Sequence, residues 1–127
     1  MLATLKTTTR STEHLLTLPV CSKKNMAVTL NEIVCLEAIS NYTLFHFSNG
    51  KKLLVSRTMK DYMAILEDKL FVRTHKSFAV NMRFMIQYDV KEEMSVLLKD
   101  GRRVSISRRK KKEFVAKTRE AFGSLFG

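Results

Sequence analysis

Two short stretches carry the residues best suited to chemistry. In "FVRTHKSFAVN", residues 71–81, the polar Arg73, His75, Lys76 and Ser77 stand between the apolar Phe71-Val72 and Phe78-Ala79-Val80. In "SISRRKKKEFVAKTREAF", residues 105–122, a basic run leads directly into apolar residues at helical spacing. His75 and Ser77 fall two apart, which on a strand puts them on one side, as a base and a nucleophile would need. Nothing supports that pair: there is no GxSxG elbow, no orienting carboxylate and no glycine-rich phosphate loop. A metal site is no better supported, because no second histidine or carboxylate stands at helix or strand spacing, and His46 reads as an ordinary strand residue. The stretches offer hydrogen-bond donors and cations, which hold an anion rather than break a bond. The expectation is a binding protein without cofactor, not an enzyme.

The charge balance points to what would be bound. Lys and Arg number 23 against 12 Asp and Glu, a formal net charge of +11, which attracts a polyanion such as nucleic acid. The cations are clustered: "KDGRRVSISRRKKK", Lys99 to Lys112, has Asp100 as its only acid. Ser107 is a suitable helix N-cap, which would put Arg108, Arg109 and Lys110 in the first turn. Backbone N–H groups there already carry partial positive charge, so each cation is unfavourable by roughly tenths of a kcal/mol. A phosphate would satisfy both the dipole and the side chains. The plainer reading is that long, solvated side chains tolerate the dipole.

These residues need elements to hold them. A chain of 127 residues, 45% hydrophobic, suits one domain, with residues 1–14 as a Thr- and Ser-rich leader or linker remnant and 15–127 as the folded unit. "LLTLPV" and "MAVTL" flank the polar "CSKKN" as a hairpin would, and "IVCLEA", "YTLFHFSNG" and "KKLLVS" continue as strands. Asn49-Gly50 predicts a type I′ turn between the last two. "RTMKDYMAILEDKL" changes to helical period, with Met59, Tyr62, Met63, Leu66 and Leu70 on one face and Thr58 and Asp61 as a capping arrangement. "RFMIQYDV" and "MSVLLKDGRRVSI" read as strands with a turn at Asp100-Gly101. The last twenty or so residues read as a helix that packs Phe114, Val115, Thr118, Phe122, Leu125 and Phe126 onto the β core. The fold class expected is mainly β, with one internal helix and a C-terminal helix. Tyr42, Phe45 and Phe47 read as core. Cys21 and Cys35 stand outside any CxxC spacing and read as reduced thiols. With no export signal and no long apolar run, a cytoplasmic location is expected, and the Asn41-Tyr42-Thr43 acceptor pattern is set aside.

Taken in order, "EIVCLEAISNYTLFHFSNGK", "SRTMKDYMAILEDKLFVRTHKSFAVN" and "LLKDGRRVSISRRKKKEF" resemble the LytTR-type DNA-binding domain of bacterial transcription regulators, from about Leu16 to Leu125. Ser40 stands where that family often has Gly, Lys76 replaces Arg, Phe78 replaces Tyr, and Ser105 replaces Pro. The resemblance implies an elongated β fold of three small sheets that binds duplex DNA through loops and strand ends. It implies Arg108 as a major-groove base reader, Lys76 at an intervening minor-groove contact, and one of Asn41, Tyr42 or Thr43 as the other major-groove reader. Arg73, His75, Ser77, Ser107, Arg109 and Lys110 would then contact phosphate. The implied partners are double-stranded DNA with paired direct repeats, a second copy on the same site, and an upstream sensor or regulator protein, since the chain has no room for the receiver domain that many such output domains follow. No membrane partner is expected. A basic RNA- or ribosome-associated protein is the alternative, although no RNP1-like strand occurs.

Overall fold

The computed structural model describes residues 15–18 and 26–123. Among them, the order is β1 (Leu15–Leu18), β2 (Met26–Thr29), β3 (Ile33–Ile39), β4 (Tyr42–Phe47), β5 (Lys52–Val55), α1 (Met59–Leu66), β6 (Phe71–His75), β7 (Phe78–Asn81), β8 (Met85–Asp89), β9 (Ser95–Leu98), β10 (Arg103–Ser105) and α2 (Arg108–Phe122). These strands form a β1–β2 hairpin, a five-stranded sheet ordered β5-β4-β3-β7-β6, and a three-stranded sheet ordered β10-β9-β8. The fold is therefore mostly β, in three sheets with two helices. The leader assigned to residues 1–14, Cys21, and the stripe residues Leu125 and Phe126 lie outside the described residues.

β3 is buried on both faces. Leu36, with Phe45, Val55, Phe71 and Ala79, meets Met59, Tyr62 and Leu66 of α1 and Leu18 of the hairpin. Cys35, Val72 and Val80 belong to a second cluster with Val96, Leu98, Val104, Ile106 and Phe114. Edge-to-face aromatic pairs anchor both helices, Phe45 with Tyr62 at 4.9 Å and Tyr88 with Phe114 at 5.0 Å. Each apolar side chain buried this fully stabilises the fold by about 1.5–3 kcal/mol. Cys35 is a free thiol in this core, pushed up to about 11 by burial even though Arg102 Nη1 lies 3.2 Å from its sulfur.

Local structure departs from expectation in two places. Only Gly50 of the β4–β5 loop has positive φ (88°), so the turn is not type I′. Asn49 Oδ1 instead accepts from Lys51 N at 2.9 Å, and Gly50 N donates to Phe47 O at 3.0 Å, which makes a three-residue loop closed by a left-handed glycine. Helix α1 starts as expected, with Thr58 Oγ1 accepting from Asp61 N, but it ends at Leu66. Leu70 lies beyond the helix at φ 67° and packs on the second cluster, not on the α1 face.

His46 is more than a strand residue. It is 6% exposed, and its Nε2 stands 3.0 Å from Glu37 Oε1. Burial holds it below the usual histidine value of 6.5, against the hydrogen bond that Nε2 donates to Glu37 and with help from the Arg102 charge. Between the lowered folded value and 6.5 the unfolded chain binds the extra proton, so this stability is present above pH 6.5 and is lost as pH falls through the folded value. Urea denaturation at pH 7.5 and pH 5 should show a shallower acid loss for His46→Gln than for the wild type; equal slopes would count against this account.

Candidate nucleic-acid interface

Four connections meet at one end of the five-stranded sheet. Ile39 pairs with Tyr42, leaving Ser40-Asn41 as a two-residue loop between β3 and β4. Glu37 pairs with Phe78 and Ala38 N donates to Ser77 O at 2.8 Å, which sets the Lys76-Ser77 turn beside that loop. Val55 pairs with Thr43, so Arg57 follows β5 out of the sheet at the same end. Ser107 N donates to Thr74 O at 2.8 Å, which brings the start of α2 alongside β6. Five strands at about 4.8 Å spacing make this end roughly 19 Å wide.

The junction with α2 depends on an irregularity in β6. The register shifts between Arg73 and His75, leaving Thr74 without a partner on β7. A bulge of this kind re-aims its backbone groups, and here the Thr74 carbonyl receives the Ser107 N–H. Ser107 caps α2 as expected, its Oγ accepting from Lys110 N at 3.2 Å, and the first turn contains no acidic residue. Arg73, His75, Lys76, Ser107, Arg109 and Lys110 line one open cleft of about 380 Å³. Glu113 stands beside it, 3.9 Å from Lys110 Nζ.

Arg108 lies elsewhere. One residue is 100° on a helix, and Arg108 shares the other flank of α2 with Lys111, Lys112 and Arg119. Asn41 and Tyr42 are exposed, Tyr42 at 43%, so Tyr42 is not the core residue its aromatic character suggested. Thr43 corrects the sequence reading in the opposite sense: it is fully buried and its hydroxyl donates to Arg57 O at 2.7 Å, so it has no path to a base. Arg73 spends its guanidinium on the protein, donating from Nε to His75 O at 3.0 Å and from Nη2 to Lys76 O. Burial also lowers its pKa from the ordinary arginine value. His75 Nδ1 accepts from Ser77 N at 3.1 Å.

Sequence reasoning missed Arg57, an exposed cation at this end. Counting back from the Asn49-Gly50 turn would have found it, since antiparallel register returns β5 to the end where β4 began. Ser40 holds φ 54°, a conformation that favours glycine. Ser40→Gly should therefore raise the unfolding free energy by about 1 kcal/mol; an unchanged melting midpoint would contradict the strain. Ser107→Ala should cost about 1 kcal/mol through the lost cap, read by the same measurement, with α2 fraying first in hydrogen exchange.

Among the described residues no helix is long and apolar enough to cross a membrane, and no group of His, Cys, Asp or Glu is arranged to hold a metal. The family model for the LytTr DNA-binding domain matches residues 23–119, and the chain belongs to this family of DNA-binding domains of transcription regulators. No curated protein gives a significant match. Four solved chains match; one is a LytTr DNA-binding domain from Bacillus cereus, 19% identical, with a TM-score of 0.70 over 82% of this chain and 95% of that one. At that identity the likeness is one of fold.

Proposed function

We propose that this domain reads duplex DNA sequence through the connections at the end of its five-stranded sheet, as the output domain of a transcription regulator. The observation that carries this reading is the basic cleft shared by the Lys76 turn and the start of α2. A helix start with cations and no acid in its first turn is complementary to a phosphate, which supplies the missing negative charge. An end roughly 19 Å wide exceeds the ~12 Å major groove, so its outer connections can address different grooves.

Within this reading Asn41 and Tyr42 reach one groove and Lys76 the backbone or minor groove beside it. Ser77, Ser107 and Lys110 contact phosphate, with Arg57 added to them, while Arg73 and His75 have their guanidinium and ring engaged with their own turn. The family resemblance assigns the second major-groove contact to Arg108. The geometry favours Arg109, because it lines the cleft with Lys76 while Arg108 turns to the far flank. An arginine bidentate to guanine discriminates by about 1–3 kcal/mol, whereas a lysine on phosphate carries no sequence information. Paired direct repeats with one copy on each, and an upstream protein supplying the signal, complete the proposal.

RNA binding is the competing reading, and the exposed Tyr42 ring favours it, since it could stack on a base. Phe45 and Phe47 are buried, which leaves no stacking platform beside it. Competition at fixed salt between a duplex selected from a random pool and single-stranded RNA separates the two, and stronger RNA binding would sink the DNA reading. On the selected duplex, Arg109→Ala should lose sequence discrimination, Arg108→Ala should lose less, and Lys110→Ala should weaken all sequences alike. With about five phosphates neutralised, affinity should fall roughly 500-fold between 50 and 200 mM salt.

A further inference from the structure

The Lys76 turn is held by side chains of its own hairpin. Arg73 donates to the carbonyls of His75 and Lys76, and His75 Nδ1 accepts the Ser77 N–H. The Ser77 carbonyl is taken by Ala38 N, which fixes the turn to β3. A side chain accepting the N–H two residues on is the device by which Asn and Asp close turns. Among the described residues Asn49, Asn81, Asp89 and Asp100 use it in that form. At the β6–β7 turn a histidine takes the same part.

The hydrogen bonding also restricts the imidazole. Accepting from Ser77 requires a lone pair on Nδ1, so the neutral ring carries its proton on Nε2. Arg73 is constrained in turn, since its fork is engaged with two carbonyls and partly removed from water. Neither residue is disposed as a simple charge offered to DNA. Both act on the turn that carries the exposed Lys76.

We propose that Arg73 and His75 are positioning residues, a clamp that fixes the β6–β7 turn before any ligand arrives so that Lys76 is presented in one geometry. The proposal deepens the DNA-binding reading and rests on it for the purpose of the clamp, although the clamp itself belongs to the free protein. Fixing a contact residue in advance removes an ordering cost from binding, and it sharpens discrimination because displaced partners are not accommodated. Charge at position 73 is not enough, because a lysine ammonium cannot span the two carbonyls in the planar fork of a guanidinium.

The test uses the whole chain in two measurements. Amide exchange of Ser77, read by NMR without DNA, should be slow in the wild type and in His75→Asn, whose side-chain oxygen can replace Nδ1. It should quicken about tenfold or more in His75→Ala, Arg73→Gln and Arg73→Lys. Binding to a duplex selected from a random pool by the wild type, set against random duplex, should lose about tenfold in discrimination for those same three variants and recover in His75→Asn. Arg73→Lys should keep the wild-type salt slope on random duplex. Arg73→Lys behaving as wild type while Arg73→Gln lowers the salt slope by about one contact would make Arg73 a phosphate ligand and overturn the clamp. So would His75→Asn binding as weakly as His75→Ala while Ser77 exchange stays slow, or a Ser77 amide that exchanges freely in the wild type. A wild type that selects no duplex defeats the DNA reading alone, since the exchange result stands without it.

Discussion

The bond from Ser107 N to Thr74 O is the joint on which the basic end of the five-stranded sheet depends. A regular β6 would keep the Thr74 carbonyl in line with its neighbours; the bulge between Arg73 and His75 turns it out to meet the capping residue of α2. The same bulge sets Arg73 two residues before the turn it grips. Phe114, fully buried against Tyr88, then holds the body of α2 so that its first turn cannot drift from β6. Helix cap, bulge and aromatic anchor thus fix one another. A charged helix start is of use only when its position relative to Lys76 is fixed.

The cleft also shows how a protein keeps like charges together. Arg73, Lys76, Arg109 and Lys110 line one surface, yet they are not equivalent. Arg73 is turned inward onto carbonyls, and Lys110 has Glu113 one turn on. Lys76 and Arg109 carry the exposed charge of the cleft. Self-repulsion is therefore lower than the count of cations suggests, and what remains points outward.

Much of this was legible in the sequence because the strands alternate and the caps use ordinary residues. The β4–β5 and β9–β10 hairpins, the Thr58 and Ser107 caps, the apolar stripe of α2 and the acid-free first turn follow from local pattern, whereas the sequence reading of residues 71–81 does not include the β6–β7 hairpin they form. What was not legible depends on partners far along the chain. Nothing around Thr43 announces that its hydroxyl will find the Arg57 carbonyl, and Tyr42 has the same aromatic character as the buried Phe45. Leu70 fits the helical period, but the chain turns left-handed at that residue and carries it into the other core. That Arg108 and Arg109 face different flanks of α2 depends on the direction in which α2 leaves β6, and local spacing does not contain it. Ser40 sits where a turn requires positive φ, a demand visible only through the family's usual glycine.

The pairing of β3 with β7 has a consequence for how the chain folds. Among the described strands every other pairing joins neighbours in sequence, and each such hairpin can close over a short loop. Cys35 meeting Val80 closes a long one, so its entropy must be met before its contacts give anything back. That pairing is also what brings the Ser40-Asn41 loop beside the Lys76 turn. Hairpins formed early would each carry a fragment of the basic end, but the assembled surface exists only after the last long-range closure. A partly folded chain therefore has the positive charge that attracts a polyanion without the assembled surface on which the proposed recognition rests.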